Sequence, residues 1–391
     1  MWDNILLRNI LPLIQSYLNR RSSLNMLRVC KYWNKVLKEI VSSKYPIVVR
    51  YEKDFPLSWS TVFCTIYPFP KNICAEKLII RPDESIYFLD CNELPKNLKM
   101  LGLKVSDTFN LKGNISDKIT NLNIYMNEKF PYNLLTANIQ KIEIIPTRNT
   151  TLNFKLINKC QLEYIHIRRI KEIFGDISQL SNSYNSLKKL TINLNENTNS
   201  LENFNNLEVL DLKSDNIIIS RLPRKLKVLK IESKNIDFSG IETFTNIIDF
   251  SVSHIGKIYF PPNIKKVSII KESEIEKLPD SITECRCLYS QIYHFEKNKI
   301  VKMRIATEKN KNKNIIFNNL PNTLRDLYIS GFVNYNHDTF SNCNITNLRI
   351  FGNEIDCLYL PQSLKTLHLS SVTNIKNRRN DVKIFQNGIV V

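Results

Sequence analysis

From about residue 73 onward the chain repeats one short pattern of apolar and polar positions, Leu-Pro-x-x-Leu-x-x-Leu-x-Leu, with apolar residues exchanging freely at the last three sites. Full copies begin at Leu94-Pro95, Leu222-Pro223, Leu320-Pro321 and Leu360-Pro361. They end on Leu101 and Leu103, Leu229 and Ile231, Leu327 and Ile329, and Leu367 and Leu369. Phe260-Pro261 and Leu278-Pro279 open two more, the second reaching Cys285 and Cys287. Other copies lack the proline but keep the spacing, among them Ile119/Leu122/Ile124, Leu207/Leu210/Leu212 and Ile345/Leu348/Ile350. From Leu98 to Leu364 the first apolar anchor recurs every 17 to 25 residues, and Leu78 with Ile80 suggests a degraded earlier copy.

Each part of the pattern has a physical meaning. Apolar residues two apart, such as Leu101 and Leu103, share one face of a short strand. The step of three before them turns the chain at a corner while keeping the anchor inside. Proline cannot donate to a strand ladder, so it belongs in the approach to the strand. About twenty residues per copy leaves little room for a helix on the return path. One copy cannot bury its own apolar edge, so copies must stack. The spacing therefore predicts a leucine-rich-type solenoid with a curved parallel sheet over 73–391, in about 14–15 repeats.

Residues 1–45 follow a different period. Leu6, Ile10, Ile14 and Leu18 recur every four residues, which marks one face of a helix. The polar break Asn19-Arg20-Arg21-Ser22-Ser23 can cap a second helix, whose stripe includes Val29, Trp33, Val36, Leu37 and Ile40. Pro46 restricts Tyr45 to extended conformations and so ends that helix. Pro46, Pro56, Pro68 and Pro70 make 46–72 read as a linker. The expectation is thus an α+β repeat protein with a small N-terminal helical module.

Tyr17-Leu18, followed at the family's spacing by Val29-Cys30-Lys31-Tyr32-Trp33, resembles an F-box, although Leu6-Leu7 stands where that family carries Leu-Pro. The repeats resemble FNIP-type leucine-rich repeats, with Phe109-Asn110 and Phe317-Asn318 as remnants of the eponymous dipeptide. F-box proteins with such repeats occur in amoebae and giant viruses. The resemblance implies a substrate receptor of a cullin-type ubiquitin ligase. Leu6, Ile10, Ile14, Leu18, Leu27, Val29, Cys30 and Trp33 would then build the surface for a Skp-type adaptor, and through it a cullin. The repeats would select the protein to be ubiquitinated. A protein-binding scaffold with no ligase link, its helices a mere cap, is the competing reading.

Composition adds little to this. The net charge of +18 accompanies a general enrichment in Lys, Asn and Ile, so it does not by itself imply nucleic acid. The nine cysteines are an odd number without a CxxC pair, as in a reduced cytoplasmic chain. No apolar run is long enough for a membrane helix. Five scattered histidines and only eight glycines supply no metal, phosphate or nucleophile motif, so neither an enzyme nor a cofactor or metal site is expected.

The register assigns the recognition face. Residues between the two core positions of a strand must point away from the core. Arg286, Arg304, Tyr328 and Arg349 hold that position in nearby copies, as His166 and His368 do elsewhere. Those four residues are the expected substrate contacts on the concave sheet. Interspersed acids such as Asp211 and Glu143 weigh against a nucleic-acid-binding face.

Overall fold

The computed structural model describes residues 47–49, 61–64, 75–81, 85–126, 129–146, 151–167, 172–174, 176–194, 201–306, 320–332, 340, 343–351, 354–370, 374–387 and 389–390. The helical module expected over 1–45, with Leu6, Ile10, Ile14, Leu18, Leu27, Val29, Cys30 and Trp33, lies outside the described residues. The chain forms two compact units, Met1–Asn195 and Glu196–Val391.

In the first unit a parallel ladder runs through Ile47–Val49, Thr61–Cys64, Lys77–Ile80, Met100–Lys112, Asn121–Met126, Lys141–Pro146, Tyr164–Ile167 and Lys189–Leu194. Its first two strands fall within the stretch read as a linker. Their short β-rich runs, Ile47-Val48-Val49 and Thr61-Val62-Phe63-Cys64, join the sheet edge in register with Lys77–Ile80. Those parts of 46–72 are ladder, not linker.

In the second unit a parallel ladder of the same style runs from Val209–Ser214 through Val228–Glu232, Asp249–Ser253, Lys266–Ile269, Glu284–Leu288 and Lys302–Ala306. It then passes through Asp326–Phe332, Asn347–Phe351, Thr366–Ser370 and Lys383–Gln386. Ile389–Val390 folds back antiparallel on the last of these.

The repeat pattern explains the register. Corresponding core residues of successive copies are direct ladder partners, as in Leu229↔Phe250 and Ile231↔Val252. Leu210, Leu229, Phe250, Leu327, Leu348 and Leu367 are all fully buried or nearly so, as are their partners two residues on. The anchors Leu226, Ile247, Ile264, Ile282, Ile300, Leu324, Ile345 and Leu364 add a third interior column. The proline carbonyl of Leu-Pro-x-x-Leu accepts the anchor's N–H, at 3.0 Å for Pro95–Leu98 and for Pro321–Leu324 and at 3.1 Å for Pro361–Leu364. Proline therefore begins a turn that ends on the anchor. Beyond the anchor, two successive N–H groups converge on one carbonyl of the preceding copy, as Lys265 and Lys266 do on Ile248, both at 2.9 Å. That shared carbonyl makes the corner demanded by the step of three.

The return paths are short 3-10 turns, such as Ile219–Arg221, Ile241–Thr243 and Cys357–Tyr359, with minor parallel pairs such as Asn216–Ile218 with Asn235–Asp237. Aspartates cap several of these turns: Asp90, Asp176 and Asp356 each accept a backbone N–H two residues on, at 3.0 Å. Among the described residues only Phe154–Ile157 forms an α-helix, of four residues. The parallel-strand solenoid is thus built with almost no helix, and no helix of the described residues is long and apolar enough to cross a membrane.

Candidate interaction surface

Strand side chains alternate between faces, so the residue between two core positions faces outward. In the second unit, ladder pairing places Asp211, Lys230, Ser251, Ser268, Arg286, Arg304, Tyr328, Arg349, His368 and Phe385 in one row across the strands. The four residues expected to contact substrate, Arg286, Arg304, Tyr328 and Arg349, are therefore consecutive members of that row. Parallel strands lie about 4.8 Å apart, so the four span roughly 15 Å. All three arginines are exposed and Tyr328 is half-buried between two of them.

The row is internally ordered. Arg304 sits over the Tyr328 ring at 4.5 Å from its centroid, and Arg349 approaches the same ring at 5.8 Å. Cation–π contact holds a guanidinium by its face and leaves its N–H edges available. One rung further, His368 stacks on Phe385 with centroids 4.7 Å apart and planes 9° apart. Burial, and then the charge of Arg349, pushes the His368 pKa down, favouring the neutral imidazole. Lys383 lies 5.1 Å from the Phe385 centroid.

The positions beside this row are different in kind. Lys266 and Glu284, register partners one residue before the core, form an ion pair at 3.3 Å. Lys302 is the register partner of both Glu284 and Asp326. After the second core position, Lys213 pairs with Glu232 at 2.7 Å. At these flanking positions opposite charges face one another between neighbouring copies. Among the described residues, no carboxylate forms an ion pair with Arg286, Arg304 or Arg349.

The first unit does not repeat the arrangement. Its outward row is Ile79, Gly102, Asn123, Glu143, His166 and Thr191. Ile79, Asn123 and Thr191 are buried although they face away from the core. Asn123 donates to Glu143 at 2.8 Å, and Arg81 lies 3.4 Å from the Tyr125 centroid. His166, expected on this face, is half-buried and stacks on Tyr164 at 6.3 Å. Among the described residues, adjacent arginines on the outward row thus occur in the second unit.

Sequence reasoning placed His368 on the outward face but did not extend the row to Phe385. The final copy, Val382-x-Ile384-x-Gln386, lacks both leucine and proline, and only its register with Leu367 and Leu369 reveals it. Among the described residues, no three His, Cys, Asp or Glu side chains are grouped to hold a metal ion. Cys285 and Cys287 both face the core, and burial, with the neighbouring thiol, pushes Cys285 well above the usual thiol range.

No protein-family model matches the chain, and no characterised protein matches it in sequence. Several solved structures are similar in fold. One is CroV588, described as a circular leucine-rich-repeat protein, at 14% identity and a TM-score of 0.36 over 88% of this chain and 71% of that one. Another is YopM from Yersinia enterocolitica WA-314, at 14% identity and a TM-score of 0.34 over 84% and 72%. A third is the plant peptide hormone receptor RGFR1 in complex with RGF2, at 14% identity and a TM-score of 0.35 over 87% of this chain and 62% of that chain.

Proposed function

We propose that this chain is a recognition solenoid whose second unit grips an acidic protein segment along Arg286, Arg304, Tyr328 and Arg349. The observation that carries this reading is the charge imbalance of one row. Lys213 and Lys266 are matched by acids from the next copy, whereas among the described residues the three arginines have no carboxylate partner, and two of them flank a tyrosine. Interfaces favour such Arg and Tyr anchors, and complementary charge selects the partner. Nothing in the row is arranged to break a bond, so binding is its use.

The resemblance of residues 1–45 to an F-box extends the proposal. That segment would engage a Skp-type adaptor and a cullin through Leu6, Ile10, Ile14, Leu18, Leu27, Val29, Cys30 and Trp33. The captured protein would then be presented for ubiquitination, with proximity as this chain's contribution. The two halves are separable. The reversal R286E/R304E/R349E removes target binding and leaves adaptor capture and melting temperature unchanged. Deletion of residues 1–45 removes adaptor and cullin while the repeats keep their target. Undiminished target recovery after the triple reversal overturns the first half. An intact chain that captures no adaptor, where a known F-box protein does, overturns the second.

A further inference from the structure

Arg286 and Arg304 are direct register partners, both exposed, on adjacent strands. Like charges placed opposite each other across a ladder destabilise it. This chain routinely avoids that cost: Lys227 with Glu208 at 3.0 Å, Lys213 with Glu232 at 2.7 Å and Lys266 with Glu284 at 3.3 Å each bring opposite charges together between copies. The strand carrying Arg286 even supplies Glu284, but to Lys266. Among the described residues the arginine pair has no carboxylate partner, whereas those three lysines each have one.

We infer that Arg286 and Arg304 clamp a phosphate monoester carried by the bound protein segment. The inference rests on the proposed recognition role of the row and names the chemistry it takes. Three features select phosphate over carboxylate. Two arginines side by side on strands about 4.8 Å apart can turn two forks to one tetrahedral group, and a phosphate monoester near pH 7 offers close to two charges and three acceptor oxygens. A single carboxylate compensates only one of them. The residue type is also selective: the cations of those three ion pairs are lysines, whereas this pair is the planar forked donor suited to oxyanions. Finally, Tyr328 fixes the Arg304 plane from one side, and Ser268, the register partner of Arg286 on its other side, adds a hydroxyl. The aromatic rings argue against a nucleic-acid strand as the source of phosphate. Tyr328 is flanked by Arg304 and Arg349, and one face of Phe385 is stacked on His368, so these faces are already engaged and not offered to a base.

The test uses the full chain and three pooled peptide libraries with random flanks around one fixed residue, which is phosphoserine, serine or glutamate. A single-stranded DNA oligonucleotide serves as a fourth probe. The phosphoserine pool should be retained about tenfold more strongly than the glutamate pool, and the serine pool least. R286Q and R304Q should each lower phosphoserine retention by about tenfold, with R286K, which keeps charge but loses the fork, falling between. K365Q, an equal charge loss off the row, should leave retention unchanged, and melting temperatures verify folding. Equal retention of the glutamate and phosphoserine pools overturns the phosphate clamp while the acidic-segment reading stands. Phosphoserine retention indifferent to R286Q, R304Q and R286K also overturns it. Retention of the DNA and of no peptide pool overturns both readings.

Discussion

A hydroxyl ladder beside the anchors offers a direct perturbation of what locks one copy to the next. Ser281, Thr323 and Ser363 each stand one residue before an anchor. Each hydroxyl reaches the anchor carbonyl of the preceding copy: Ile264 at 2.8 Å, Ile300 at 2.8 Å and Ile345 at 2.9 Å. A second carbonyl lies farther from each, at 3.2 Å, 3.5 Å and 3.4 Å. A hydroxyl has one proton, so each counts as one hydrogen bond, of about 1 kcal/mol net. Thr323→Val removes the hydroxyl while keeping the side chain's shape, and should cost about 1 kcal/mol by that measure. The three bonds lie in alternate copies and share no partner, so S281A/T323V/S363A should cost about 3 kcal/mol. That is a large share of the roughly 5–15 kcal/mol by which folded proteins are stable. Urea unfolding of the full chain, followed by fluorescence and circular dichroism, reads the loss. A triple variant within about 0.5 kcal/mol of the parent would show that these hydroxyls do not couple the copies.

Three further outcomes follow from the core and its turns. Phe250 is fully buried and meets Phe260 edge-on at 6.0 Å, so Phe250→Ala should cost about 3–5 kcal/mol in denaturant unfolding, and Phe250→Leu under about 1.5 kcal/mol. Gly256 has φ +138° and an added Cβ would stand 2.8 Å from His254 Nε2, so Gly256→Ala should lower the melting temperature, with a loss of about 1–3 kcal/mol. Lys112 holds the Asp90 carboxyl below the usual range, and the Ser239 N–H does the same for Asp237. Folding then favours the ionised forms, a stabilisation complete above the ordinary carboxylate pKa near 4 and lost as pH falls through the lowered folded values. Unfolding midpoints should therefore drop between pH 6 and pH 3, and less so in D90N/D237N.

Much of the ladder was legible in the sequence because its information is local. Two apolar residues two apart, preceded by an anchor three back, identify a strand and its inward face within six residues. Arg286, Arg304, Tyr328 and Arg349 could therefore be assigned to one outward row before any coordinates. Where the copy is eroded the signal fails. Ile47–Val49 and Thr61–Cys64 carry no anchor and sit among prolines, and Val382 with Ile384 replaces the leucines. The chemistry between copies was also hidden, since it depends on partners about twenty residues apart that only register identifies. The Lys266–Glu284 pair at 3.3 Å and the reach of Thr323 to Ile300 at 2.8 Å are of that kind. So is the burial of Ile79 and Asn123 on the outward face of the first unit. Alternation alone predicts exposure there.

The central claim is that the arginine-flanked tyrosine of the second unit is where the target protein lies. Site-specific photocrosslinking tests it most directly. A benzoylphenylalanine side chain is installed in place of Tyr328 in one preparation. In another it replaces Leu358, which is 68% exposed on a 3-10 turn of the return path. Both are irradiated with the target retained by the intact chain. A covalent adduct is expected from position 328, lost when R286E and R349E are added, and none from position 358. An adduct from 358 with none from 328 contradicts it.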